Sequence, residues 1–93
     1  MKTNCYVITG RVQGVGFRYF VWQHAEIFGL NGWVRNRTDG SVEALVRATE
    51  TQHEQIRRHL GEGPRGSRVD SVHATELDCA DLSAGFEIRR DGG

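Results

Sequence analysis

Ninety-three residues are enough for one small hydrophobic core and too few for two, so a single domain over 1–93 is expected to contain the whole function. With 38% hydrophobic residues, 26% charged residues and one Pro, the chain belongs with globular proteins and not with disordered, collagen-like or membrane-spanning ones. Twelve Lys and Arg balance twelve Asp and Glu. That excludes the broad positive field of a protein that neutralises many nucleic-acid phosphates, so any anion site must be local.

No apolar run approaches the ~20 residues of a membrane span, and the start lacks a leader's long apolar stretch, so the cytoplasm is the expected location, with no membrane partner. Cys5 and Cys79 stand far apart and outside any metal or redox spacing. They are expected as two thiols.

The first predicted element is a strand over Cys5 to Thr9, ending at Gly10, with further glycines at Gly14 and Gly16. From Phe17 the apolar period becomes helical: Phe17, Phe20, Val21, His24, Ala25 and Phe28 share one face, and Gly29 is the expected stop. Trp33 to Thr38 and Val42 to Ala48 flank Asp39-Gly40, a pair suited to two positive φ values, and read as a hairpin. Thr51 and Glu54 have capping-box spacing and predict a second helix that turns Ile56 and Leu60 inward and closes at Gly61. Val69 to Leu77 reads as a strand, Asp78 to Gly85 as a connection, and Phe86 to Arg90 as a short last strand. The order is βαββαβ plus one strand, an α+β split βαβ with two helices on one face of an antiparallel sheet. Such a fold hosts many functions, so activity must come from a site.

The chemistry-bearing segment is Gly10-Arg11-Val12-Gln13-Gly14-Val15-Gly16-Phe17-Arg18, between the first strand and first helix. A dinucleotide fingerprint would need a third glycine where Tyr19 stands, and a nucleotide phosphate loop would need Gly-Lys-Ser/Thr. What remains is the physics both share. A glycine turn feeding a helix converges backbone N–H groups on one point, where the helix dipole attracts an anion, and Arg18 adds a two-pronged donor. The bland alternative is a tight turn followed by a solvated Arg. In the hairpin, Asn36 lies two residues before the turn on a β-rich stretch, where Asn is disfavoured; it either satisfies a turn backbone group or serves a site.

Two segments, Gly10-Arg11-Val12-Gln13-Gly14-Val15-Gly16-Phe17-Arg18-Tyr19 and Gly32-Trp33-Val34-Arg35-Asn36 followed by Asp39-Gly40-Ser41-Val42-Glu43, closely resemble the signature motifs of the acylphosphatases. The resemblance runs on through Gly63-Pro64 and Phe86-Glu87-Ile88. It implies a ferredoxin-like fold and hydrolysis of an acyl phosphate to a carboxylate and inorganic phosphate, with no metal or other cofactor. It implies that Gln13, Gly14, Val15, Gly16, Phe17 and Arg18 bind the phosphoryl group, and that Arg18 and Asn36 are catalytic, Asn36 orienting the attacking water. The partners are then a small acyl phosphate, and inorganic phosphate as product and competitive inhibitor, the chain acting as a monomer. The same motifs occur in the N-terminal domain of large carbamoyltransferases of hydrogenase maturation, but the chain is expected to stop where such a protein would continue.

The four histidines are expected outside the site: His24 on the core face of the first helix, His53 and His59 six residues apart on the second, and His73 on a strand surface. Arg35 and Arg37 alternate with Asn36 and should face away from it. A non-catalytic phosphate or acyl-phosphate binding module is the alternative function. Single-stranded nucleic-acid binding is disfavoured, since neither Tyr6-Val7-Ile8 nor Val42 to Ala48 offers paired aromatics in a basic strand. Nothing in either motif addresses the acyl group, and no role attaches to Asp91-Gly92-Gly93.

Overall fold

The computed structural model describes residues 1–78 and 84–91. Its elements are β1 (Lys2–Arg11), α1 (Phe17–Phe28), β2 (Asn31–Asn36), β3 (Val42–Ala48), α2 (Glu50–Glu62), β4 (Arg68–Leu77) and β5 (Phe86–Ile88). The sheet order is β4-β1-β3-β2-β5. Antiparallel pairing joins all but the last pair, β2 and β5, which run parallel. This is the expected ferredoxin-like α+β arrangement with a fifth strand added at the β2 edge.

The core lies between the sheet and the two helices. Tyr6 and Ile8 of β1, Val34 of β2, and Val42, Ala44 and Val46 of β3 alternate toward it. They meet Phe17, Val21 and Ala25 of α1 and Ile56 and Leu60 of α2, all almost inaccessible. Along the helix interface the His24 and His59 rings stack at 3.9 Å, with Phe20 edge-on to His24 at 4.6 Å. His53 is buried among core groups: Tyr6 Oη lies 2.7 Å from its Nδ1, and its Nε2 lies 2.9 Å from the Lys2 carbonyl. The Lys2 carbonyl can only accept, so His53 donates from Nε2. His73 is exposed on β4, as expected.

Several boundaries differ from the sequence reading. β1 extends past Cys5–Thr9 on both sides because it is flanked by β3 and β4, whose pairing carries even Lys2, Asn4 and Arg11 into the ladder. The hairpin turn is not the two-residue kind with two positive φ values: among the described residues no non-glycine has positive φ, so of Asp39 and Gly40 only Gly40 takes one. Arg37 N–H donates to the Ser41 carbonyl and Gly40 N–H to the Arg37 carbonyl, leaving a longer loop that ends β2 at Asn36 instead of Thr38. The Asp39 carboxylate accepts from the Ser41 N–H and hydroxyl, which locks that loop and holds the acid below its usual pKa.

Helix α2 starts earlier, because Thr49 is its N-cap and Gln52 completes the capping box in place of Thr51 and Glu54. It also passes through Gly61 to Glu62 and ends at Gly63. β5 stops at Ile88, short of Arg90, with the Arg89 N–H making the last contact to β2 at the Val34 carbonyl. Cys5 is half-buried on the uncovered sheet face, where burial and then the Glu43 carboxylate push its thiol up to about 11. Cys79, most of the connection after Asp78, and Gly92-Gly93 lie outside the described residues. Among the described residues no helix is long and apolar enough to cross a membrane.

Candidate active site

The β1–β4 register shifts between Thr9 and Gly10, Gly10 and Arg11 pair on with Val69 and Arg68, and the chain then leaves the sheet into the loop before α1. Gly14 and Gly16 both sit in the left-handed region, at φ 75° and 77°, where a side chain would be strained. A Cβ on either would meet open space, so the loop surface there faces outward, with no packing against the core. Below it, Val12 is fully buried and Val15 packs against the core. Gly16 is the N-cap of α1 and brings no side-chain acceptor, and no acidic residue stands in the first turn. The positive end of the helix is thus left open to an anion.

The Gln13 side chain faces the hairpin. Its amide donates to the Arg37 carbonyl at 2.7 Å and the Ser41 carbonyl at 2.9 Å, bolting the glycine loop to the end of β2. This brings Asn36, which is 8% exposed, beside the loop. The turn is satisfied by Gln13 and Asp39, and no hydrogen bond from the Asn36 amide is found among the described residues. The reading of Asn36 as a partner for turn backbone thereby loses its object.

Gly14, Gly16, Phe17, Arg18 and Asn36 line one cavity of about 280 Å³. Five of the seven residues selected from the sequence therefore converge there, although they come from a loop, a helix and a strand. Gln13 and Val15 do not line it: one braces the loop and the other anchors it. Arg35 and Arg37 point elsewhere, as expected. Arg35 pairs with Glu43 at 2.8 Å and lies over the Trp33 ring, on the sheet face away from the helices. None of the four histidines lines the cavity.

Two further contributors had no local signal. Asp91 reaches Arg18 with Oδ1 2.9 Å from Nη1, and the same Nη1 donates to the Arg89 carbonyl at 3.1 Å. Ile88 joins Tyr19 in the cavity wall because β5 pairs with β2 in the register Val34 to Ile88. No group of three His, Cys, Asp or Glu side chains suited to a metal ion occurs among the described residues.

Known proteins resemble the chain in both sequence and fold. The acylphosphatase family model matches residues 5–88. A relative from Koribacter versatilis named acylphosphatase is 49% identical over 75 residues, covering 81% of this chain and 68% of that one. The crystal structure of acylphosphatase from Bacillus subtilis superposes with a TM-score of 0.91 at 37% identity, covering 96% of this chain and 99% of that one. Full-length HypF in its phosphate- and nucleotide-bound form aligns at 29% identity with a TM-score of 0.87, over 98% of this chain and 12% of that one.

Proposed function

The chain belongs to the acylphosphatase family and is a hydrolase of acyl phosphates; from that premise we propose that the N–H groups around Gly14, Gly16 and Phe17, together with Arg18, hold the phosphoryl group while Asn36 orients the attacking water. Gln13 and Val15 serve the same loop through its backbone and its packing. The observation that carries the reading is the meeting, in one cavity, of an uncapped helix N-terminus, Arg18 and an Asn amide with no partner among the described residues.

An acyl phosphate is a mixed anhydride whose leaving group, a carboxylate, is stable as an anion at neutral pH. No general acid is needed, which accounts for a site without histidine. The water oxygen attacks phosphorus, the bond from phosphorus to the acyl oxygen breaks, and its electron pair leaves on the carboxylate. The water proton passes to a phosphoryl oxygen. Charge grows on the equatorial oxygens, where backbone N–H groups and a guanidinium stabilise it, and positioning supplies the rest. We place the protein in the cytoplasm, as a metal-independent monomer of one domain, with inorganic phosphate as competitive inhibitor.

Turnover of benzoyl phosphate, followed by ultraviolet absorbance with and without chelator, tests this. Hydrolysis unaffected by chelator is expected. Phosphate binding without turnover would instead favour a binding module, and loss of activity on chelation would require a metal.

A further inference from the structure

Resting on that reading, we propose that Tyr19 and Ile88 form an apolar wall that receives the acyl group, so that this enzyme prefers acyl phosphates with an uncharged aryl or alkyl acyl group to those with a small or charged one. Among the described residues, five large hydrophobic side chains are exposed: Met1, Tyr19, Ile27, Leu77 and Ile88. Single exposed apolar groups are ordinary on a protein surface. Two of them, from different elements, flanking the cavity that holds Arg18 and Asn36 are not scattered. Tyr19 is 56% and Ile88 44% exposed, so both retain surface for a ligand to cover.

Both groups sit on rigid supports. The Tyr19 ring stacks on Trp22 one turn along α1, with centroids 5.7 Å apart and planes 21° apart. Ile88 is held by the pairing of β5 with β2, and the Arg89 N–H donates to the Val34 carbonyl at 2.8 Å just beyond it. Its same-face neighbour Phe86 is buried in the core and anchors the strand. The cavity of about 280 Å³ exceeds what a phosphoryl group alone fills, and lies near the small end of ligand pockets. Once the phosphoryl group is on Arg18, the acyl carbon is attached two bonds from phosphorus and must lie beside these walls.

The test compares kcat/KM for benzoyl phosphate and acetyl phosphate in the parent, in Ile88→Asn and in Tyr19→Ser, each first shown folded by thermal melting. The ratio between substrates is the readout, so a general loss of activity cancels. Each substitution is expected to lower the benzoyl-to-acetyl ratio about fivefold, chiefly through KM for benzoyl phosphate. Succinyl phosphate, with its added carboxylate, should be the poorest of the three for the parent. An unchanged ratio in both folded variants, with both substrates turned over, overturns the acyl wall and leaves the acylphosphatase reading standing. Failure of the parent to hydrolyse any of the three overturns both.

Discussion

Arg18 is paired within the chain: its Nη1 lies 2.9 Å from the Asp91 carboxylate, seventy-three positions along the chain. A phosphoryl group that takes up this guanidinium must displace the carboxylate or share the donor with it. The pair is solvent-accessible, with Arg18 33% and Asp91 67% exposed, and such pairs contribute up to about 1 kcal/mol. Asp91→Asn is therefore expected to tighten competitive inhibition by phosphate about two- to fivefold, and the gain should shrink as salt screens the pair. Weaker phosphate binding in this variant would show instead that Asp91 holds Arg18 in its productive orientation.

The loop glycines make a second case. Gly14 and Gly16 are left-handed, and a Cβ at either would touch nothing in the protein. Gly14→Val and Gly16→Val are therefore expected to act through the backbone, each destabilising the fold by about 1–2 kcal/mol. The strain turns the loop N–H groups away from the anion, so phosphate inhibition should weaken in step. Melting temperature and the inhibition constant measured together check this; unchanged inhibition in both variants would remove the loop from the binding site.

How far such a site can be read beforehand depends on which forces are local. The glycine turn, the helix after it and Asn36 declare themselves through backbone preference and spacing, and their convergence follows once β1, α1 and β2 form a split βαβ. The bolt from Gln13 to the hairpin carbonyls does not declare itself, because an amide between Val12 and Gly14 reads equally well as a ligand. Ile88 and Asp91 are invisible for a different reason. Their places depend on the parallel pairing of a three-residue strand with β2, a contact more than fifty residues distant that no periodicity encodes. The α2 boundary is ambiguous in the sequence because Thr49 and Thr51 both precede a plausible partner three residues on, Gln52 and Glu54, and the helix uses the first pair.

Activity and stability should respond differently to pH. No histidine lines the cavity, and no other side chain titrates ordinarily near neutrality, so kcat is expected to vary less than about twofold between about pH 6 and 7.5. His24 is another matter: burial, then the stacked His59 ring, lower its pKa, with Glu62 opposing. The unfolded chain thus binds the proton more readily, and stability falls as pH drops below the unfolded value near 6.5. Melting temperature should decline from about pH 7.5 toward 5.5, and His24→Leu should flatten that decline. A one-proton titration of kcat near 6.5 would bring a histidine into the mechanism, and an undiminished slope in His24→Leu would assign the decline to another group.

The roles given to Arg18 and Asn36 separate most sharply by substitution. If Arg18 holds the phosphoryl group in both ground and transition states, Arg18→Gln weakens phosphate inhibition and lowers kcat together. Asn36 differs in that its amide is nearly buried, has no partner among the described residues, and faces the cavity without carrying charge. If it only places the water, Asn36→Ala leaves phosphate affinity nearly intact while kcat falls about 10²–10³-fold, as when one positioned polar group is removed from a preorganised site. Loss of its amide also leaves no core hydrogen bond unmade, so the variant should melt within about 1 kcal/mol of the parent. Melting curves, phosphate inhibition and kcat measured on the same preparations decide the matter. Near-normal kcat in folded Asn36→Ala, or parental phosphate affinity in folded Arg18→Gln, would show this division of labour to be wrong even while the protein hydrolyses acyl phosphates.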